Sequence, residues 1–236
     1  MIKNLSIIFP IYNEEKRLSQ SFKKIIQFKK NINKNIEFIF VNDGSNDSSL
    51  KLLYKFKKDN RHLKIRVLNQ KKNSGKGNAL KIGVENAEYD WILTTDIDLS
   101  VPLSQIFLWD KSIKKNIHVY FGSRSHPESK IFTPIYRYVI GLIFQLINKV
   151  FFNFKIRDTQ CGFKLYKKKI GKKIFSNIKE FGYAHDIEIL LICIKKKIKF
   201  IELPVVWSHK KDGKVSIISD SINMFLVIIK LRFKFF

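Results

Sequence analysis

The chain has 236 residues, 45% hydrophobic and 28% charged, which suits one α/β domain with a buried core and excludes a disordered tail. Ten glycines, five prolines and two cysteines exclude a collagen-like or linker-rich architecture, a disulfide framework and a cysteine-only zinc site. Basic residues number 45 against 20 acidic ones, and the resulting charge of +25 suits an anionic partner: nucleic acid, an anionic membrane face or a phosphorylated substrate. Only seven of the 45 are arginine, however, and a chain this rich in Lys, Ile, Asn and Phe also reads as compositional drift, to which about half of the excess is assigned.

Met1 to Asn4 lead straight into an apolar run, so no signal peptide and no secretion are expected. Leu5 to Phe9 is predicted as a buried strand ended by Pro10. Glu14 to Lys30 follows as a helix with Leu18, Phe22, Ile25 and Ile26 on one stripe. Ile36 to Val41 is a second strand, stopped by Asn42-Asp43-Gly44-Ser45. Asp47 or Ser48 can cap the next helix, which carries Leu50, Leu53, Tyr54 and Phe56. Ile65 to Leu68 is a third strand, Gly75 to Ala87 a helix, and Trp91 to Thr95 a fourth strand. A helix after Pro102 and a strand from His118 to Gly122 complete the series. Short strands alternating with helices predict βαβ units in a mostly parallel sheet flanked by helices, without internal repeats or a linker.

The second half differs. Ile135 to Phe152 and Ile217 to Phe236 are apolar segments edged with basic and aromatic residues. Neither has the ~20 uninterrupted apolar residues of a spanning helix, so both are expected to be amphipathic helices at a bilayer interface or packed on the sheet. The domain is accordingly drawn as 1–216, including the interfacial helix 135–152, with 217–236 as a C-terminal membrane-associating helix.

In parallel sheets ligands bind at the carboxyl ends of strands, and the polar clusters fall there. Asp96-Ile97-Asp98 follows the fourth strand, where two carboxylates can share Mg²⁺ or Mn²⁺, hard cations that bridge to phosphate oxygens. Asp43 can accept hydrogen bonds from a nucleobase or ribose, although Asn42-Asp43-Gly44-Ser45 serves equally well as a plain Asx turn. Asn73-Ser74-Gly75-Lys76-Gly77 opens a helix and suits an anion, but it is not the phosphate loop of ATP- or GTP-hydrolysing proteins. His126, His185 and His209 lack metal-ligand spacing, and Cys161 reads as a packing residue.

In order and spacing, Phe9-Pro10-Ile11-Tyr12-Asn13-Glu14-Glu15, Val41-Asn42-Asp43-Gly44-Ser45, Gly75-Lys76-Gly77 and Thr95-Asp96-Ile97-Asp98 resemble the family 2 glycosyltransferases. Three further runs look like the dolichyl-phosphate β-glucosyltransferase branch: Gly122-Ser123-Arg124-Ser125-His126, Arg157-Asp158-Thr159-Gln160-Cys161-Gly162-Phe163-Lys164-Leu165 and Ala184-His185-Asp186-Ile187-Glu188-Ile189-Leu190. The likeness extends over roughly residues 5–216. It implies a GT-A fold and inverting transfer of a hexose, glucose from UDP-glucose, to a polyisoprenyl (dolichyl-like) phosphate, with peripheral attachment at the cytoplasmic face of a membrane.

By the same resemblance, Pro10, Tyr12, Glu14 and Asp43 hold the uridine, with Lys76 near the nucleotide. Asp96 and Asp98 manage the metal and diphosphate, Lys214 closes over the diphosphate, and Arg124 and Arg137 face the acceptor phosphate. Asp186 and Glu188 stand where relatives acting on sugar hydroxyls keep a base. A phosphate acceptor is already ionised near neutrality, so an orienting or structural role is expected for them.

The chain departs from the branch in three ways. No N-terminal anchor of the kind frequent there is expected, Ile97 stands where Ala is usual, and Asp212-Gly213 where Gly-Ser is usual. The competing readings are a GDP-mannose-dependent mannosyltransferase, a transferase acting on a glycan, and a basic nucleic-acid-binding protein. Against the last, the lysines are dispersed and no nucleic-acid motif is present.

Overall fold

The structure is a computed structural model and describes residues 2–135, 141, 146, 150–152, 156–182, 184–210 and 217–235, with the backbone alone for 217–225. The elements in chain order are β1 (Asn4–Ile11), α1 (Glu15–Lys30), β2 (Asn35–Asp43), α2 (Ser49–Asp59), β3 (Lys64–Gln70), α3 (Lys76–Glu85), β4 (Trp91–Thr94), α4 (Gln105–Asp110) and β5 (Val119–Ser123). They continue with β6 (Lys130–Phe132), β7 (Lys164–Lys167), α5 (Lys168–Phe175), α6 (His185–Lys195), β8 (Phe200–Pro204), β9 (Val206–Ser208) and α7 (Ile217–Phe235).

Seven strands form one sheet in the order β3-β2-β1-β4-β7-β5-β8. It is parallel except at β7, which runs antiparallel to both neighbours. A separate parallel pair, β6 with β9, lies beside it. Pleating sends alternate residues of β1 to opposite faces. Ile7 and Phe9 join Phe40, Phe22 and Phe56 beneath α1 and α2, where the Phe22 and Phe56 rings stack at 3.9 Å. Ile8 faces the other way, toward Ala79 and Val84 of α3 and Ile189 and Cys193 of α6. Each fully buried aromatic or branched side chain contributes about 1.5–3 kcal/mol, so the contiguous apolar strands secure the sheet on both faces.

Two expectations are corrected here. Pro10 does not end β1, which stays paired with β2 through Ile11. Ile8 C=O accepts the Thr95 N–H, so Pro10, two residues on, turns its nitrogen to the same side, past the last β4 partner; no ladder hydrogen bond is lost. The third helix starts at Lys76 rather than Gly75, because Gly75 has φ +98° and serves as its N-cap.

In α7, Ile228 and Leu231 are buried against Ile187 and Leu191 of α6 and against Phe152. No helix among the described residues is long and apolar enough to cross a membrane. Most of 135–152 lies outside the described residues.

Candidate active site

Four strand ends converge, as the clustering of polar motifs predicts. The turn after β1 is stitched to the turn after β2: Asn13 N–H donates to Ser45 Oγ (2.9 Å), Glu14 N–H to Ser49 Oγ (2.7 Å), and Asn46 N–H to Asn13 Oδ1 (2.8 Å). Gly44 is required in this junction. It has φ +66°, and a Cβ on it would lie 2.3 Å from the Lys72 carbonyl carbon.

Asp43, at the tip of β2, is buried and holds the loop before α3. Its Oδ1 accepts from Gln70 Nε2 (2.9 Å) and Ser74 N–H (2.8 Å), and its Oδ2 from Gly75 N–H (2.9 Å). The plain Asx turn does not describe this residue, whose carboxylate bridges β2 to the glycine loop. The loop also rests on the segment before α6, since Gly77 N–H donates to Phe181 C=O at 2.8 Å.

These tips enclose a cleft of about 440 Å³, lined by Pro10, Tyr12, Glu14, Arg17, Asp43, Asn73, Gly75, Lys76, Asp96, Asp98 and Gly182. That is the size range of small-molecule and nucleotide sites. Pro10, Tyr12, Glu14, Asp43, Lys76, Asp96 and Asp98, the residues carried over for donor and metal, all face it. Arg137 and Lys214 lie outside the described residues. Arg17, one helical turn beyond Glu14 and 3.4 Å from its carboxylate, is a lining residue that the motif comparison passed over; the i,i+3 spacing was the available signal.

The floor of the cleft is a network of alternating charge. Lys76 Nζ lies 2.6 Å from Asp96 Oδ1. Burial disfavours the ammonium, but Asp96, Asp186 and Asp98 outweigh it and hold Lys76 above its ordinary range. Burial and the neighbouring Asp96 push Asp98 up, and the Ser100 N–H at 2.9 Å only partly offsets them. Below them, Lys164 of β7, 1% exposed, pairs with Asp186 in the first turn of α6. Burial would raise Asp186, yet His185, Lys164 and Lys76 hold it below the usual carboxylate range. Desolvation in turn keeps His185 low, and its Nδ1 lies 2.7 Å from Gly182 C=O.

Asp96 and Asp98 are the hard oxygen donors of the cleft and fit Mg²⁺ or Mn²⁺. Among the described residues no group of three or more His, Cys, Asp or Glu gathers, so Asp96 and Asp98 would supply part of a cation's shell. The Lys76 ammonium already occupies Asp96 Oδ1, so a cation would share that carboxylate with it.

Arg124 is forked onto Asp158, Nε to Oδ2 at 2.7 Å and Nη2 to Oδ1 at 2.9 Å, and lies 5.8 Å from the Trp207 ring. Trp207 borders a small recess with Asp96 and Asp98. The fork leaves Nη1 as the part of the guanidinium outside this pairing. Glu188 is fully buried and does not line the cleft; it accepts from Lys179 N–H (2.7 Å), Glu180 N–H (2.8 Å) and Lys234 Nζ (2.6 Å). The sequence reading also left Gly162 and Lys164 without roles. Gly162 packs against Asp96, and Lys164 neutralises Asp186.

Set against known proteins, residues 6–175 match the family described as Glycosyl transferase family 2. The chain belongs to that family. The chain of this family 2 glycosyltransferase is 31% identical to the dolichyl-phosphate beta-glucosyltransferase of Dictyostelium discoideum over 98% of its own length and 74% of the relative. It is also 31% identical to that of Saccharomyces cerevisiae, over 97% and 75%, and 29% identical to the human one, over 90% and 70%.

Among solved structures, Mycobacterium tuberculosis glucosyl-3-phosphoglycerate synthase superposes with TM-score 0.67 at 16% identity, covering 98% of this chain and 80% of that one. A complex of the same enzyme with Mn²⁺, UDP and glucosyl-3-phosphoglycerate gives 0.69 at 15%, with 98% and 80% covered. The mannosyltransferase PcManGT of Pyrobaculum calidifontis gives 0.62 at 15%, with 90% and 59% covered. The fold is the GT-A type expected from the motifs, and the family 2 transferase is an enzyme rather than a nucleic-acid-binding module.

Proposed function

We propose that this enzyme moves glucose from UDP-glucose to a polyisoprenyl, dolichyl-like phosphate at the cytoplasmic face of a membrane. The observation that carries the reading is the convergence of Asp43, Lys76, Asp96 and Asp98 in one cleft of a chain whose relatives are named dolichyl-phosphate beta-glucosyltransferases.

In this reading Pro10, Tyr12, Glu14 and Asp43 surround the uridine, and Tyr12 offers a partly exposed ring at the cleft wall. Lys76 and Lys214 take the diphosphate. Asp96 and Asp98 hold Mg²⁺ or Mn²⁺, which when bound neutralises charge on the departing nucleoside diphosphate. An oxygen of the acceptor phosphate forms the new bond to the anomeric carbon as the bond from that carbon to UDP breaks, with inversion. The acceptor is already ionised near neutral pH, so no side chain need remove a proton. The pairing of Asp186 with Lys164 fits an orienting role under the diphosphate. Arg124 reaches the acceptor phosphate with the nitrogen outside its fork, and Arg137 supports it. Apolar side chains of 135–152 and 217–236 bring the cleft to the lipid.

The test is transfer by the purified chain with Mn²⁺ or Mg²⁺ from a panel of radiolabelled nucleotide sugars to a polyprenyl phosphate. The expected result is label in the organic phase with UDP-glucose. Label confined to the aqueous phase for every donor rejects the lipid acceptor, and preference for GDP-mannose rejects the donor.

A further inference from the structure

The C-terminal helix and the donor cleft are joined by polar contacts linked through short stretches of backbone. At one end, Lys234 of α7 donates to Glu188 Oε1 at 2.6 Å. The other oxygen of Glu188 accepts the N–H groups of Lys179 and Glu180 at 2.7 and 2.8 Å. Two residues after Glu180, Gly182 lines the cleft, and between them Phe181 C=O accepts the Gly77 N–H at 2.8 Å. Gly77 is next to Lys76, whose ammonium sits on Asp96. A second tie runs alongside, Lys230 Nζ to Glu180 Oε1 at 2.8 Å.

The packing leaves the loop little freedom to move independently of the glycine turn. A Cβ on Gly75 would lie 2.4 Å from Phe181 O, and one on Gly77 would lie 2.9 Å from both Glu180 O and His185 Cβ. The backbone of 180–182 and that of 75–77 therefore lie in direct contact, joined by the hydrogen bond from Gly77. Glu188 fixes the first of these to α6, and Ile228 and Leu231 pack on Ile187 and Leu191 to fix α7 to the same helix. Lys230 is mostly exposed and its pair with Glu180 is worth little. Glu188 is 0% exposed and Lys234 36%, so their pair is screened at the lysine end but less than that of Lys230 and Glu180.

We infer that Glu188 is a positioning residue through which α7 sets the donor-side loop 179–182, so that docking of the C-terminal helix tunes affinity for the nucleoside diphosphate. The inference rests on reading the cleft as the UDP site. It gives α7 a role besides membrane attachment.

The experiment uses the full chain and two readouts, UDP affinity in the presence of Mn²⁺ by calorimetry and amide hydrogen exchange of segments 75–80 and 177–182 without ligand. The variants are Lys234→Met, Glu188→Gln, which keeps an acceptor for the two N–H groups but not the charge facing Lys234, and Glu188→Ala. Ile25→Val, in α1, serves as a destabilised control away from the loop.

Lys234→Met and Glu188→Gln are expected to weaken UDP binding about threefold to tenfold and Glu188→Ala more, with faster exchange in both segments. The control should change neither readout beyond its effect on melting. Wild-type affinity and protection in Lys234→Met and Glu188→Gln, at temperatures where each is folded, overturn the inference. If the unaltered chain binds no UDP, the proposed donor is wrong; hydrogen exchange alone then decides the coupling, loss of protection at 75–80 in Lys234→Met supporting it and unchanged protection removing it.

Discussion

Gly162 and Asp96 are in steric contact: a Cβ on Gly162 would lie 2.6 Å from Asp96 Oδ2, while Lys76 Nζ holds Oδ1 at 2.6 Å. The carboxylate is thus fixed from two sides, by the bareness of one residue and the charge of another. Gly162→Ala should displace Asp96 without removing any functional group. A shift of about 1 Å at such a site costs on the order of a hundredfold in turnover, while stability should change little, since the atom displaced ends a side chain that is 43% exposed. Steady-state kinetics beside urea melts separate the two. Wild-type kcat in a folded Gly162→Ala protein would show that the pose of Asp96 does not limit the reaction.

Lys164 of β7 and Asp186 of α6 form a buried pair; removing Asp186 strands the Lys164 ammonium, while removing Lys164 leaves Asp186 with His185 Nε2 at 3.3 Å. Asp186→Asn should cost about 3–5 kcal/mol and Lys164→Met less, and Lys164→Met combined with Asp186→Leu should recover much of the larger loss. The acid side of the stability curve tests the same pair. Despite burial, His185 and Lys164 depress the Asp186 pKa in the folded chain. Its stabilisation is therefore complete above the unfolded pKa of about 4 and disappears as pH falls through the lower folded value. Asp158, depressed by Arg124 against its own burial, behaves alike. Denaturant melts from pH 7 downward should steepen below about pH 4 in the wild type and less so in the double variant.

The first half of the fold was legible because its strands are mostly apolar runs such as Ile36 to Val41, interrupted only by Glu37, whose neighbours need not be known to infer burial. The cleft was legible because Asp43, Lys76 and Asp96–Asp98 each follow a strand, and a parallel sheet delivers all its strand ends to one edge. β7, with the sequence Lys-Leu-Tyr-Lys, could not be read so. Its buried Lys164 looks like a surface residue until Asp186, 22 positions later, is brought beside it. The fork of Arg124 onto Asp158 spans 34 positions and leaves no local pattern either. Pro10 misled for a different reason: proline ends a strand only where a partner awaits its N–H, and strand length in β4 decides that.

Asp98 supplies a pH test at the site itself. Burial and Asp96 raise its pKa, so protons compete for it at higher pH than for an ordinary exposed carboxylate. Mn²⁺ affinity of the UDP-bound protein should therefore decline on acidification from a point above about pH 4, and plateau toward neutrality. Asp98→Asn should flatten that profile and lower turnover by about a hundredfold or more. Chelation with EDTA should abolish transfer, and added Mn²⁺ should restore it. Full activity in EDTA would remove the metal from the reaction.

The two faces of α7 differ in exposure, which separates packing from the proposed lipid contact. Ile228 and Leu231 are fully buried against α6, whereas Leu226 is 59% and Phe233 83% exposed. A side chain of this size transfers from water to an apolar phase with about 1.5–3 kcal/mol, so two of them are worth at least about a tenfold change in partitioning. Leu226→Ser with Phe233→Ser should reduce flotation with anionic liposomes by that factor while the melting temperature and UDP affinity stay at wild-type values. Ile228→Ser should behave inversely, lowering the melting temperature because it opens the contact with Ile187 and Leu191. Equal flotation of the Leu226→Ser/Phe233→Ser protein and the wild type would assign membrane contact to other surfaces and leave α7 as a helix that only braces the catalytic domain.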